Sequence, residues 1–180
     1  MFSDQEIVKM TIKGKKDSFN ELVMRHSSKV YSLCLRMLKD PLEAEDVTQE
    51  TFLRAYRALD TYNSNYSFRN WLLKIASNLC IDRVRQRKGI SFTDTDDELI
   101  NYTQSSFVSP EKATIDKENI EKLTEALYTL PVRYQLVLLL RYLEGLKYEE
   151  IANVLEEPLG TIKTQLHRAR KLLKERYFND

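Results

Sequence analysis

The sequence predicts an all-α protein built from two small helical domains that a flexible linker joins. Three observations support this fold class. The 180 residues include only four glycines and four prolines; the apolar residues recur at intervals of three and four, as on amphipathic helices; and no run of alternating β-branched residues is long enough for a sheet. The helical patterns fall in residues 1–88 and 118–180, which we predict as the domains, with residues 89–117 as the linker.

Two helices are predicted at the start of the first domain. Ser3 and Glu6 have the spacing of a capping box, and the helix that they open should end at Gly14. Asp17 is expected to cap the second helix. The apolar stripe of that helix includes a histidine and a cysteine, and it consists of Phe19, Leu22, Val23, His26, Val30, Leu33, Cys34 and Met37.

Two further helices complete the first domain. Asp40 and Pro41 supply an N-cap and a first-turn proline for a helix that extends to about residue 59. A polar loop follows, and the last helix runs from about residue 68 to 88. The next segment, residues 89–118, holds seven acidic and two basic residues with many Ser and Thr and no apolar stripe. Such a composition is typical of a flexible linker.

The second domain begins at about residue 116. A first helix ends at Pro131, and a very apolar helix over residues 132–144 is closed by Gly145. Residues 148–171 then predict two short helices that Pro158 interrupts. On the second of these, Ile162, Leu166, Ala169 and Leu173 form one stripe, and cationic and hydrogen-bonding residues occupy the opposite arc. This arrangement is typical of a helix-turn-helix that presents a recognition helix to the DNA major groove.

The distribution of charge along the second domain supports a local contact with DNA. Residues 119–157 contain four basic and seven acidic residues, whereas residues 158–180 contain six basic and two acidic ones. The sign of the charge therefore changes at the turn, although a solvated basic face is an alternative reading of the second helix. The whole chain has 28 basic and 27 acidic residues, so it lacks the bulk charge of a stand-alone nucleic-acid binder. Binding is expected to need a partner.

Two other faces are candidates for function. The helix over residues 43–59 directs Asp46, Gln49, Glu50 and Leu53 outward, either as an ordinary solvated face or as a docking surface for a basic partner helix. The helix over residues 68–88 ends in a cluster of cations and follows several aromatic residues. Cations beside aromatic rings suit single-stranded DNA, but the cations also complement the helix dipole and Trp71 fits core packing equally well. Tyr62 and Tyr66, in the polar loop, are expected to be exposed.

Cys34 and Cys80 are isolated along the sequence and are expected to be buried thiols. His26 lies on an apolar stripe and is expected to be packed. These residues and His167 are the only cysteines and histidines of the chain, and their spacing along the sequence does not match a zinc site. Neither a metal nor another cofactor is therefore expected. The chain shows no long apolar run and no signal-peptide pattern, and a soluble, cytoplasmic protein is expected.

Three segments of the chain resemble the extracytoplasmic-function (group IV) sigma factors of bacterial RNA polymerase, and most of all the sigma-W type. They are AEDVTQETFLRAYRALDTY at 44–62, FRNWLLKIASNLCIDRVRQRK at 68–88 and LEGLKYEEIANVLEEPLGTIKTQLHRARKLL at 143–173. Each is moderate evidence, but their order and the acidic linker between them make the match specific. The resemblance implies a sigma factor that binds core polymerase, recognises the −35 and −10 promoter elements and opens the DNA.

The resemblance also implies roles for single residues. Contacts with the β′ clamp helices are implied for Asp46, Gln49, Glu50 and Leu53, and the β subunit is a further partner. Recognition of the −10 element is implied for Ala58, Tyr62, Ile75, Asn78 and Arg85. Recognition of the −35 element is implied for Arg141, Tyr148, Glu149, Lys163, Thr164, His167, Arg168 and Arg170. Where many helix-turn-helix units have Gly at the turn, this chain has Glu156, which leaves the turn geometry open.

Family resemblance further suggests an anti-sigma factor, often membrane-anchored, and no small-molecule substrate. The residues leave two alternative functions. A stand-alone helix-turn-helix regulator would explain residues 148–171 but not the aromatic and cationic stretch of residues 56–88. A helical enzyme such as a nuclease would need an acidic cluster with metal-ligand spacing, which is lacking, because the acids at 94–97 fall in the predicted linker. The chain is therefore predicted not to be an enzyme.

Overall fold

The computed structural model describes residues 2–88 and 116–178, and every regular element in these two ranges is a helix. The eight main helices are α1 (Asp4–Ile12), α2 (Phe19–Leu38), α3 (Pro41–Arg57), α4 (Phe68–Lys88), α5 (Asp116–Tyr128), α6 (Val132–Leu138), α7 (Tyr148–Leu155) and α8 (Leu159–Phe178). The predicted all-α fold class is confirmed. We call residues 2–88 the N-terminal unit and residues 116–178 the C-terminal unit; most of the predicted linker lies outside the described residues.

Capping explains where α1 begins, and one predicted cap is wrong. The Ser3 hydroxyl accepts from the N–H of Glu6 at 3.3 Å, and the Glu6 carboxylate accepts from the N–H of Ser3 at 2.7 Å. This capping box is as predicted. Asp17 does not cap α2, because it lies inside a short 3-10 turn (Lys16–Ser18) that runs directly into the helix, and the N–H of Phe19 bonds to the carbonyl of Lys16.

Asp40 fixes the start of α3, as predicted. Its Oδ1 accepts from the N–H groups of Leu42, at 2.9 Å, and Glu43, at 3.1 Å. Asp40→Ala should therefore lower the free energy of unfolding by about 1 kcal/mol, which corresponds to a fall in melting temperature of roughly 4–8 °C for a domain of this size. Asp40→Asn retains an acceptor and is the matched control. Thermal unfolding followed by circular dichroism distinguishes the variants, and equal melting temperatures for all three proteins would contradict the cap.

The N-terminal core is formed by α2, α3 and α4, with α1 packed against α2. The large side chains at its centre, which include Leu22, Leu33, Leu72 and Leu73, are fully buried. His26 is packed as predicted, with its ring 5.7 Å from that of Phe68, and its Nε2 also lies 2.7 Å from a carboxylate oxygen of Asp4.

Cys34 and Cys80 are both fully buried, as predicted, but they are not isolated in space. Helices α2 and α4 bring the two thiols into hydrogen-bond contact. This hydrogen bond lowers the pKa of Cys34 and, together with burial, raises that of Cys80 well above its usual value. The two cysteines are far apart in the sequence, so their contact could not be predicted from it.

The C-terminal core lies where α5, α6 and α7 pack on α8. Ile151 and Val154 of α7 and Ile162, Leu166 and Ala169 of α8 are buried in it. The helix predicted over residues 132–144 is interrupted, since α6 gives way to a π-helical turn over Leu139–Leu143. The N–H of Glu144 accordingly bonds to the carbonyl of Leu139, five residues back, at 3.1 Å. Gly145 closes the segment with φ +68°, as predicted.

Candidate polymerase-binding and DNA-binding surfaces

The outward face of α3 carries the four side chains predicted to dock on a partner. Asp46 and Gln49 are exposed, Glu50 is half-buried, and Leu53 keeps 51% of its surface exposed. The Glu50 carboxylate accepts from Nε of Arg54 at 2.7 Å, and this hydrogen bond lowers the pKa of Glu50. The face therefore carries an exposed leucine beside the carboxylates of Asp46 and Glu50, and the Glu50 carboxylate is paired with Arg54.

Gln49 and Leu53 form a ridge between two depressions. One depression, of about 430 Å³, is polar and lies between α3 and α4, where Asp46, Glu50, Asp82 and Arg83 line it. The other, of about 770 Å³, is an apolar groove between α2 and α3. We call it the α2–α3 groove, and its apolar lining is Phe19, Val23, Tyr31, Phe52, Leu53 and Tyr56. This groove could not be predicted from the sequence, because Phe19 and Val23 belong to a stripe that periodicity assigns entirely to the core.

The loop before α4 is more tightly packed than predicted. Tyr62, which was expected to be exposed, is half-buried; its ring lies 5.5 Å from that of Phe68 and 5.4 Å from that of Trp71. Its hydroxyl donates to the carbonyl of Tyr66 at 2.6 Å, and burial raises its pKa. Tyr66 is 49% exposed, as predicted. The half-buried Trp71 also packs on Phe68, so core packing accounts for much of its surface.

The residues predicted to read the −10 element lie on two elements. Ala58 and Tyr62 flank a 3-10 turn (Leu59–Thr61) that follows α3. Ile75, Asn78 and Arg85 lie on α4, where Asn78 is exposed and the other two are half-buried. Because seven residues are close to two helical turns, Asn78 and Arg85 share one face of α4.

Helix α8, which the sequence predicts to be the recognition helix, has the predicted division into two sides. Ile162, Leu166 and Ala169 are fully buried. The five predicted −35 residues of this helix, Lys163, Thr164, His167, Arg168 and Arg170, are all exposed. The Thr164 hydroxyl donates to the carbonyl of Gly160 at 3.0 Å, so it faces outward as an acceptor.

The other three predicted −35 residues lie at the start of the hairpin. Nη1 of Arg141 donates to the carbonyl of Leu146 at 2.8 Å, and its guanidinium lies over the ring of Tyr148, 5.2 Å from the centroid. The hydroxyl of Tyr148 in turn accepts from Nη2 of Arg170 at 3.3 Å. Arg141, Tyr148 and Arg170 thus form one connected set, while Glu149 is exposed beside it.

The turn between α7 and α8 closes without glycine. Glu156 adopts the left-handed conformation, with φ +55° and ψ +37°, that glycine usually supplies at this position. The neighbouring Glu157 fastens the turn on both sides: its carboxylate pairs with Arg133 of α6 and accepts from Gln165 of α8 at 2.6 Å. These long-range contacts define the turn geometry that the sequence left open.

The described residues contain no group of three or more His, Cys, Asp or Glu side chains that could hold a metal ion. None of the helices in residues 2–88 and 116–178 is long and apolar enough to cross a membrane.

Two family models match the chain. The Sigma-70 region 2 model matches residues 22–90, which contain α2, α3 and α4. The Sigma-70 region 4 model matches residues 120–173, which contain the helix-turn-helix.

The matches to curated relatives extend over nearly the whole chain. The ECF RNA polymerase sigma factor SigW of Bacillus subtilis is 37% identical over 174 residues, which are 93% of each chain. The RNA polymerase sigma-H factor of Pseudomonas aeruginosa is 34% identical, with 94% of this chain and 91% of that protein covered. The ECF RNA polymerase sigma-E factor of Escherichia coli is 33% identical, with 95% and 92% covered.

Solved structures have the same fold. CnrH, in complex with the cytosolic domain of CnrY, aligns with a TM-score of 0.72 at 22% identity, covering 98% of both chains. RpoE of Bartonella quintana, in complex with the anti-sigma factor NepR, aligns with a TM-score of 0.69 at 22% identity, covering 90% of this chain and 98% of that one. Given the identity to SigW over nearly its full length and the two matched regions, the chain belongs to the ECF RNA polymerase sigma factors, which direct RNA polymerase to promoters.

Proposed function

We propose that the chain divides promoter recognition between residues 1–88, which dock on core polymerase and read and melt the −10 element, and residues 118–180, which read the −35 element. Residues 89–117 would serve as the connection. One observation carries this proposal: the acidic face of α3 and the cationic arc of α8 are separate exposed surfaces, each backed by its own buried core.

The α3 face is the proposed docking site for the β′ clamp helices. Leu53 supplies an exposed apolar anchor, while Asp46 and Glu50 supply negative charge beside it. Complementary charge around an apolar anchor is typical of protein interfaces. Gln49, on the ridge between the two depressions, adds an amide that both donates and accepts.

The loop before α4 and the α4 face that follows it are proposed to hold the −10 element. Separating the DNA strands costs stacking and pairing energy, and contacts between the protein and an extruded base offset this cost. Ala58, Tyr62, Ile75 and Asn78 would form the pocket for that base. Tyr62 contributes the edge of a fixed aromatic cluster. Arg85, on the same face as Asn78, would contact the strand backbone.

The helix-turn-helix is proposed to lie in the major groove at the −35 element. Lys163, Thr164 and His167, in the first half of α8, are placed as base-reading side chains usually are. Arg168 would bind phosphate. The set formed by Arg141, Tyr148 and Arg170 braces the hairpin and adds positive charge where the backbone passes, with Glu149 at its margin.

An anti-sigma factor is the remaining proposed partner. The two structural neighbours were solved with the cytosolic domain of CnrY and with the anti-sigma factor NepR, respectively. We infer that a protein of this kind, in many cases membrane-anchored, restrains this chain as well. The proposed place of action is the cytoplasm, and catalysis belongs to the polymerase, with no reaction of the chain's own.

DNA binding with and without core polymerase tests the function. The free protein should bind promoter DNA weakly, because its net charge is only +1. With core polymerase added, binding should become tight and specific, and run-off transcription should start from defined sites. Equal affinity with and without core, or transcripts that require a second sigma factor, would favour a stand-alone regulator.

A further inference from the structure

Helix α1 lies beside the loop before α4, to which we assign contacts with the −10 element. It carries none of the residues assigned above to DNA or polymerase, and it precedes the residues that the region 2 model matches. The helix contacts α2 and the 3-10 turn (Leu59–Thr61) that leads into the loop. Because Ile7 and Val8 are buried in the N-terminal core, α1 is a fixed neighbour for a loop on the surface.

The loop before α4, residues 62–67, has hydrogen bonds of its own. The hydroxyl of Tyr62 donates to the carbonyl of Tyr66 at 2.6 Å, and the side chain of Asn63 accepts from the N–H of Asn65 at 2.9 Å. The N–H of Tyr66 donates to the carbonyl of Asn63 at 3.1 Å, which closes a tight turn. These bonds define the shape of the loop, but none of them joins its tip to another element.

Gln5 of α1 joins the tip of the loop to the rest of the domain. Its Nε2 donates to the carbonyl of Ser64 at 2.8 Å. Within residues 2–88 and 116–178, no other hydrogen bond joins residues 63–66 to a different element. The backbone entropy of about 1–2 kcal/mol for each residue opposes the order of such a loop. The loss of this one hydrogen bond should therefore increase the motion of the tip measurably.

Asp4 of α1 supports the same loop through aromatic rings. Its carboxylate accepts from Nη1 of Arg25 at 2.9 Å and lies 2.7 Å from Nε2 of His26. The ring of His26 packs on that of Phe68, which in turn packs on that of Tyr62. The side chain of His26 is only 12% exposed, so its ring has little room to turn while Asp4 holds it. Asp4 thus orients the rings that hold Tyr62, a proposed wall of the base pocket.

We propose that α1 is a positioning element for −10 recognition, in which Gln5 holds the backbone of the loop before α4 and Asp4, through His26, holds the rings around Tyr62. The proposal rests on the proposed function of this loop. Gln5 and Asp4 act by fixing the groups that contact DNA. A loop that already has its bound shape loses less conformational entropy on binding, so its affinity for the melted strand is higher. The effect is confined to the −10 element, because the −35 residues lie on the C-terminal unit.

The order of the loop in the free protein tests the role of Gln5 without any DNA. Backbone order parameters of residues 63–66, from nitrogen-15 relaxation, should fall from about 0.85 toward about 0.6 in Gln5→Ala. Gln5→Glu should lower them as well, because an ionised carboxylate cannot donate to the carbonyl of Ser64. Asn20→Ala removes an exposed amide from α2 and should leave them unchanged. Unchanged order in both Gln5 variants, or an equal fall in the control, would overturn the role of Gln5 whatever the loop binds.

The fluorescence of Trp71 tests the role of Asp4. Trp71 is the one tryptophan of the chain, and its ring lies 5.4 Å from that of Tyr62 and 5.6 Å from that of Phe68. Asp4→Ala should increase the acrylamide quenching constant, because His26 and the rings packed on it gain freedom. Asp4→Asn keeps an acceptor and should increase the constant less. The measurement is made at a temperature where melting curves show every variant to be folded, and equal quenching in all three proteins would refute the role of Asp4.

DNA binding by the holoenzyme then tests whether the order of the loop contributes to recognition. The probes are a non-template −10 strand and a −35 duplex, both from a promoter that the holoenzyme selects in run-off transcription. Gln5→Ala should weaken binding of the −10 strand about twofold to tenfold, the range of one net hydrogen bond, and spare the −35 duplex. A less ordered loop with unchanged −10 affinity, or an equal loss on both probes, would refute the positioning role. A wild-type holoenzyme that does not bind the −10 strand would instead contradict the proposed function on which the proposal rests.

Discussion

Glu50→Lys is expected to abolish binding of core RNA polymerase while the helical content stays unchanged. The substitution reverses the charge at the middle of the α3 docking face and places a lysine against a basic partner helix, where like charges are strongly unfavourable. We expect the affinity for purified core to fall at least about a hundredfold. The folded protein loses only the exposed pair with Arg54, at 2.7 Å, so its stability should change little.

Fluorescence anisotropy of the labelled protein, titrated with core, measures this loss, and circular dichroism measures the helical content. Asp17→Lys is the matched control, because it makes the same charge change at an exposed site outside α3, in the 3-10 turn before α2. It should bind core as the wild-type protein does. Retained binding by the Glu50 variant, or an equal loss in the control, would remove α3 as the docking face.

The second large effect is expected at α8, the proposed recognition helix. His167→Ala should weaken discrimination at one base pair of the −35 element by roughly 5- to 100-fold, because a lost base contact affects only the sequence that it reads. Arg168→Ala should instead weaken all −35 sequences to a similar extent and reduce the slope of log affinity against log salt by about one. Both side chains are exposed, so neither change should unfold the domain.

Equilibrium binding of the holoenzyme to a library of −35 variants, repeated at several salt concentrations, separates the two kinds of effect. Lys13→Ala, at an exposed site on the N-terminal unit, serves as the control and should change neither quantity appreciably. If His167→Ala lowers the affinity equally for all −35 sequences, His167 contacts the phosphate backbone rather than a base. If Arg168→Ala leaves the slope of log affinity against log salt unchanged, the guanidinium of Arg168 does not contact a DNA phosphate.

Local patterns were enough to predict most helices and the two sides of α8. Capping by Ser3 and Asp40 and the stop at Gly145 are interactions within a few residues, so they are visible in the sequence. The π-helical turn was missed because continuous apolar residues such as those at 136–140 have no period that could reveal a shifted hydrogen bond.

Contacts between distant residues could not be predicted in the same way. Arg69 and Glu144 are 75 positions apart, and the residues next to each of them in the sequence give no sign that the two side chains pair. Tyr62 was predicted as exposed from its polar loop, yet its ring completes a cluster with Phe68 and Trp71. For the candidate sites, the sequence indicated which side chains would be exposed, and the family resemblance suggested what they would contact.

The buried thiol pair gives the protein an internal reporter of local stability. The chain has two cysteines, both fully buried in the N-terminal unit, and the C-terminal unit has none. A thiol reagent can therefore react only when α2 and α4 separate or unfold, so the rate of modification follows the opening of that unit alone. Docking of polymerase or of an inhibitor on the N-terminal unit should slow this rate, and the logarithm of the rate should fall in proportion to the free energy by which docking stabilises the unit. Thiol protection therefore measures which unit a partner holds.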